Sequence, residues 1–240
     1  MDFTNCYEDT KRAESYAKLE FPGTYYLAYR DLPAITAKHV KGNTAMDFGC
    51  GAGRSTRFLR NQGFKVTGVD ISNEMITMAN SIDPNGDYRL VEEGSLGHFA
   101  GNSFDLVQSI FTFDNIPTEE LKVKLFSEFN RILRKGGYMI NLVSSPEIYT
   151  HDWASFITTC FPDNFTAKCG DKVKTIMKDV EDQRPVEDIL WPDEDYKKVY
   201  KAAGLELVAT YRPLGKKNEP YQWVNETHVA PWVIYVLAKA

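Results

Sequence analysis

Residues 44–56 constrain this chain more than any other stretch of its 240 residues. A short apolar run, Ala45, Met46 and Phe48, ends in three glycines at alternate positions, Gly49, Gly51 and Gly53. A segment with Phe58 and Leu59 on its apolar side follows. The pattern predicts a strand, a tight glycine turn and a helix. Glycines admit positive φ, and without a Cβ they let a ligand approach the backbone closely. The helix behind such a turn points unpaired N–H groups at whatever occupies it.

A second predicted strand, Phe64–Val69, ends in an acid, Asp70, which can accept hydrogen bonds from two ribose hydroxyls. Nicotinamide dinucleotide enzymes place an acid similarly, but their glycine pattern is G-x-G-x-x-G. Counting from Gly49, the third glycine of that pattern is replaced here by Arg54. The pattern present is Asp47-x-Gly49-x-Gly51-x-Gly53, followed by Val69-Asp70-Ile71-Ser72-x-x-Met75. Together these resemble the cofactor motifs of the class I S-adenosylmethionine (SAM) dependent methyltransferases, of the methyltransferase type 11-like, small-molecule group. The resemblance implies that Gly49, Gly51 and Gly53 pass under the methionine part of the cofactor. It also implies that Asp47 helps hold its amino group, Asp70 takes the ribose, and Ile71 and Met75 line the adenine pocket.

The likeness extends from about residue 45 to 143. Phe104-Asp105-Leu106-Val107 and Arg131-Ile132-Leu133-Arg134-Lys135-Gly136-Gly137 are similar to later family motifs, the glycines reading as a helix C-cap. This register puts Glu93 and Gly94 where the family reads the adenine edge, with glutamate standing for the usual aspartate. Ser109 closes the fourth strand on the cofactor side. Asp114 and Asn115 fall in a loop that faces cofactor and substrate in the family. Thr118 already supplies a cap for the helix that follows, which leaves Asp114 for catalysis and Asn115 for substrate. N-terminal helices often cap the cofactor in this family, so Tyr25 is a candidate to face the sulfonium and Arg30 the carboxylate. Two helices are expected before the first strand, divided at Pro22-Gly23.

Composition sets the remaining bounds. Apolar residues make up 43% and charged residues 25%, the balance of an ordinary globular chain. The net charge of −5, with no basic run, advertises no nucleic-acid surface. The four cysteines form no C-x-x-C pair, so neither a structural zinc nor a disulfide framework is expected. Cys50 reads as a small packing residue in the loop. No signal peptide or membrane-length apolar run is evident, and a cytoplasmic monomer or homodimer without a metal is the expectation.

Residues 144–190 follow the fifth strand, on the edge where open α/β sheets bind ligands, and read as an inserted lid with a β-excursion near residues 172–178. Tyr149 and Trp153 are candidate substrate contacts. His151 is a candidate general base, although a lone loop histidine also suits a polar surface. The expected whole is one domain, residues 1–240, with an α/β Rossmann-like, doubly wound, seven-stranded sheet. Its last strand would run antiparallel, residues 1–40 would form a helical cap, and residues 144–190 the lid. The implied activity is methyl transfer from SAM to a small-molecule acceptor, giving S-adenosylhomocysteine. A methyltransferase acting on tRNA or protein, a SAM-binding protein without transferase activity, and a nicotinamide oxidoreductase are the alternatives.

Overall fold

The computed structural model describes residue 15 and residues 17–239. Tyr7 and Tyr16, part of the expected first helix, lie outside the described residues. Pro22 starts a helix, α1 (Gly23–Arg30), which leads at once into α2 (Leu32–His39). Two helices therefore follow Pro22-Gly23, where one was expected; Pro33 sits in the first turn of the second, where its missing N–H costs nothing.

Seven strands then form one sheet: β1 (Thr44–Phe48), β2 (Lys65–Asp70), β3 (Asp87–Leu90), β4 (Phe104–Ile110), β5 (Leu133–Ser144), β9 (Leu205–Tyr211) and β10 (Trp232–Lys239). Their order is β3-β2-β1-β4-β5-β10-β9, with β10 antiparallel to both neighbours. The turn of order between β1 and β4 is the place where such sheets open a crevice at their carboxyl ends. Helices α3 (Arg54–Asn61) and α4 (Asn73–Ile82) connect β1 to β2 and β2 to β3. Helix α5 (Glu119–Ile132) connects β4 to β5, and α6 (Asp193–Ala202) precedes β9.

Period-two alternation sends successive side chains to opposite layers of core. Val233, Tyr235 and Leu237 of β10 pack with Phe126 and Phe129 of α5 and Tyr200 of α6. Trp232, Ile234 and Val236 pack on the other face with Leu27, Leu32 and Ile35 of the first two helices. Among the described residues, no helix is long and apolar enough to cross a membrane.

The glycines after α5 have a different role from the expected cap. The helix stops at Ile132 and the chain enters β5 at Leu133. Phe104 pairs with Leu133 and Leu106 with Tyr138, so residues 134–137 bulge opposite Asp105. A Cβ on Gly137 would lie 3.0 Å from the Arg134 carbonyl oxygen, which only glycine avoids.

Between β5 and α6, strands β6 (Phe156–Ile157), β7 (Lys172–Met177) and β8 (Val186–Ile189) make a small antiparallel sheet. The expected excursion near 172–178 corresponds to β7. The inner face of β7 carries Val173, Thr175 and Met177.

Candidate functional site

The glycine loop is pinned from below. Gly49 and Cys50 both donate their N–H to the Val69 carbonyl, at 2.8 and 3.0 Å. Gly49, Gly51 and Gly53 have φ of 70°, 51° and 85°. Two of them are also held by close packing: a Cβ at Gly49 would meet Thr112 Oγ1 at 2.0 Å, and one at Gly53 would meet the Tyr88 hydroxyl at 2.6 Å. Gly51 differs. Its nearest neighbour would be Met75 Sδ at 3.8 Å, so the missing Cβ leaves room on the cleft side.

Asp70 stands at the end of β2 and shapes the same cleft. Its Oδ2 accepts the Gly51 N–H at 2.8 Å and its Oδ1 the Ser72 N–H at 2.9 Å. Burial pushes this carboxyl above its ordinary range, against those backbone donors. The Ser72 hydroxyl accepts the Met75 N–H at 3.2 Å and so caps α4, which places Met75 under the cleft.

Gly49, Gly51, Asp70, Ile71 and Met75 line one cleft. Glu93 and Gly94, after β3, and Asn115, after β4, line it as well, and Phe48, Leu121 and Leu125 make its apolar floor and wall. The residues present fit a SAM-sized group in its parts: a glycine cradle open at Gly51, a carboxylate beside it, and an apolar slot flanked by Ile71.

Other expected site residues stand elsewhere. Asp47 is fully buried beneath the loop, and its Oδ2 accepts the hydroxyls of Ser55 and Thr56, each at 2.6 Å. It does not line the cleft. It holds the start of α3 against β1, and burial raises its carboxyl to about 6. Gly53 likewise supports the loop by its fit against Tyr88, and Ser109 is buried in β4 without reaching the cleft. Arg30 is turned away: it donates to Asp31, to Glu219 Oε1 at 2.8 Å and to the Leu214 carbonyl at 2.9 Å. It ties α1 to the loop before β10. Cys50 is buried and its thiol is pushed up by burial, which suits packing.

A second, smaller cavity adjoins the cleft. Phe111 and Asn115 line both. Asp114, Ser144 and Tyr149 also line it, with Thr175 and Asp188 from the small sheet and Tyr25 from α1. Asp114 lies on a 3₁₀ turn, Thr112–Asn115, and accepts the Ser144 N–H at 3.1–3.2 Å and its hydroxyl at 2.8 Å. Burial raises Asp114 to about 7. Tyr25 sits in this cavity rather than the cleft, and the Arg54 guanidinium lies 5.4 Å from its ring centre. His151 lines neither space; its Nδ1 lies 3.0 Å from the Glu147 carbonyl oxygen in its own turn. Trp153 is wholly buried, donating its indole N–H to the Ile148 carbonyl at 2.8 Å. It supports the turn that carries Tyr149.

Three residues escaped the sequence reading. Phe111 has φ of 64°, a strained value for a phenylalanine, and no sequence signal marks it. Asp188 falls on the same face as buried Val186 in β8, a period-two signal that was available. Lys122 is fully buried four and seven residues before Phe126 and Phe129, so it interrupts the apolar stripe of α5. Its Nζ donates to the carbonyls of Phe113 and Ile116, at 2.8 and 2.6 Å.

Comparison with known proteins agrees with this geometry. The family described as "Methyltransferase domain" matches residues 46–141. A 2-methyl-6-phytyl-1,4-hydroquinone methyltransferase of Synechocystis sp. is 31% identical over 102 residues, 41% of this chain and 31% of that protein. A ubiquinone biosynthesis O-methyltransferase of Burkholderia vietnamiensis is 26% identical over 141 residues, 50% of this chain and 60% of that protein. The chain thus spans about a third to three fifths of the length of these curated relatives. The crystal structure of a SAM-dependent methyltransferase from Clostridium acetobutylicum superposes with a TM-score of 0.63 at 16% identity, over 98% of this chain and 99% of that one, a likeness of fold. Residues 46–141 thus carry a methyltransferase domain, and the sheet built around them has the fold of the SAM-dependent methyltransferases.

Proposed function

We propose that this chain transfers a methyl group from SAM to a small-molecule acceptor and releases S-adenosylhomocysteine. The observation that carries the reading is the adjacency of two spaces: a glycine-and-carboxylate cleft and a polar-aromatic cavity that share Phe111 and Asn115. The cofactor, when bound, supplies a methyl group already activated as a sulfonium. The chain's own task is then positioning and exclusion of water. Gly49 and Gly51 cradle, Asp70 accepts ribose hydroxyls, and Ile71 and Met75 offer an apolar face to a base. Asp47 and Gly53 act one layer below, by fixing the loop.

The acceptor side is built from residues 144–190 as much as from the sheet, which fits a cover that sets acceptor choice. Tyr149, Thr175 and Asp188 all come from that segment. The two named relatives act, by name, on a hydroquinone and in ubiquinone biosynthesis, which favours a small molecule over a macromolecule. The net charge of −5 points the same way.

The test is a calorimetric titration of the purified protein with S-adenosylhomocysteine, followed by an acceptor screen read by its release from SAM. Saturable micromolar binding and acceptor-dependent release are expected. Absence of saturable binding would overturn the reading.

A further inference from the structure

The second cavity has a chemistry of its own. Two carboxyls, Asp114 and Asp188, line it, and among the described residues no lysine, arginine or histidine does. The Tyr149 hydroxyl donates to Asp188 Oδ2 at 3.1 Å. Lys122 acts on Asp114 through its charge, but its ammonium donates to the Phe113 and Ile116 carbonyls. Thr175, 6% exposed, also lines the cavity, and its hydroxyl oxygen has no hydrogen-bond partner.

Much of the remaining lining is aromatic. Tyr25, Phe111, Phe156 and Trp232 all line the cavity. Phe111 and Trp232 have ring centres 4.6 Å apart, Tyr25 and Phe156 5.0 Å, and Phe156 and Trp232 5.6 Å. Rings attract a cation at their faces, most strongly where it has lost its water. Buried carboxyls without a counter-ion are costly unless they are protonated or paired. Both carboxyls here are pushed upward, mainly by burial. One positively charged, hydrogen-bond-donating group would satisfy the acids, the free hydroxyl and the rings together.

We propose that this cavity is the acceptor subsite for a small amine, which binds as its ammonium between the Asp114 and Asp188 carboxyls and the rings of Tyr25, Phe111, Phe156 and Trp232; the nitrogen would then give one proton to one of these carboxylates, and the lone pair so freed would take the methyl group of SAM as S-adenosylhomocysteine leaves. The proposal rests on the methyltransferase reading above and names its acceptor class. A neutral alcohol leaves the acids without their cation. A phenol brings a donor but no charge, and carboxylates are repelled.

The test uses the full chain saturated with S-adenosylhomocysteine, so that failure to bind that compound is scored separately, against the methyltransferase reading. Four probes are then titrated: butylamine and phenethylamine against butanol and 2-phenylethanol, with 4-ethylphenol as the phenolic control. Each amine is expected to bind at least tenfold more tightly than its alcohol and than the phenol. Asp188→Asn is expected to remove that preference while keeping S-adenosylhomocysteine affinity, which certifies its fold. Asp114→Asn serves as the second variant under the same check. Equal or tighter binding of the alcohols or the phenol to the wild type overturns the proposal. So does an amine preference that survives in both variants.

Discussion

Lys122 holds the Phe113 carbonyl at 2.8 Å from inside the core, so an ammonium on α5 fixes the 3₁₀ turn that borders both the cleft and the second cavity. The price is a buried amine: its ring neighbours include Trp191, whose centre lies 4.7 Å from Nζ. Burial lowers the Lys122 pKa from 10.5 to about 7.

That depression dictates a pH dependence. Above 10.5 the amine is neutral in both folded and unfolded chains. Between 10.5 and 7 the unfolded chain takes up a proton that the folded one resists, so this contribution to stability is lost as pH falls through that window. A shift of this size corresponds to roughly 3–5 kcal/mol across the window. Lys122→Met removes the titration. The melting temperature of wild type relative to Lys122→Met should therefore rise between pH 7 and pH 10. Parallel melting curves over that range would show that Lys122 does not titrate as its burial implies.

Asp70 is expected to separate binding from folding. It is anchored by two backbone N–H groups and lines the cleft with its remaining lone pairs. Hydrogen bonds to a charged group contribute about 1.5–3 kcal/mol, so Asp70→Ala should weaken S-adenosylhomocysteine roughly 10- to 150-fold. The ligand should then fail to raise the variant's melting temperature at concentrations that stabilise wild type. Unchanged affinity would remove Asp70 from the cofactor site.

The three loop glycines should not behave alike. Gly49→Ala drives a methyl into Thr112, at 2.0 Å from its hydroxyl oxygen, and strains a positive φ as well. Gly51→Ala meets only Met75, at 3.8 Å, and puts its methyl on the cleft side. Left-handed backbone costs a non-glycine residue about 1–2 kcal/mol, and overpacking adds about 1–3 kcal/mol. Thermal denaturation should therefore show Gly49→Ala as the less stable of the two. Gly51→Ala should stay folded and lose most of its cofactor affinity; retained affinity would mean that the cradle opens elsewhere.

The cleft was legible in sequence because its parts are local. A strand, a glycine turn and a strand-end acid each announce themselves within a dozen residues, and Gly51, Asp70 and Met75 come together through β1, α3, β2 and the start of α4. The second cavity was legible only in part: Asp114, Asn115 and Tyr149 stand out after the fourth and fifth strands, but Tyr25, Asp188 and Trp232 join them from elements far apart in the chain. Arg30 shows the same limit: its charge is claimed by Glu219, 189 positions away. Trp153 and Asp47 were chosen for chemistry, but their burial assigns them to support. The helix-cap reading of Gly136-Gly137 failed because a bulge and a C-cap both call for a glycine at positive φ, and only the strand register distinguishes them.

His151 offers the sharpest contrast between position in sequence and position in space. It follows the turn Pro146–Thr150 at the carboxyl edge of the sheet, where a base would be wanted. Its Nδ1 faces the Glu147 carbonyl and the Thr150 hydroxyl, at 3.0 and 3.1 Å, and its ring packs 5.9 Å from that of Trp153. These contacts bind the ring to its own turn, outside both spaces that a reacting atom could occupy. A proton must pass within about 2.6–3.2 Å of its base, or through one water, and no path of that length is built here. His151→Ala should accordingly leave S-adenosylhomocysteine affinity and acceptor-dependent turnover within about twofold of wild type, the scale of a surface change. Asp114→Asn is the informative comparison, since that carboxyl lines the acceptor cavity and is poised at about 7. A large fall in turnover for His151→Ala with normal acceptor binding would return the histidine to the chemistry and require the Pro146–Thr150 turn to rearrange when the site fills.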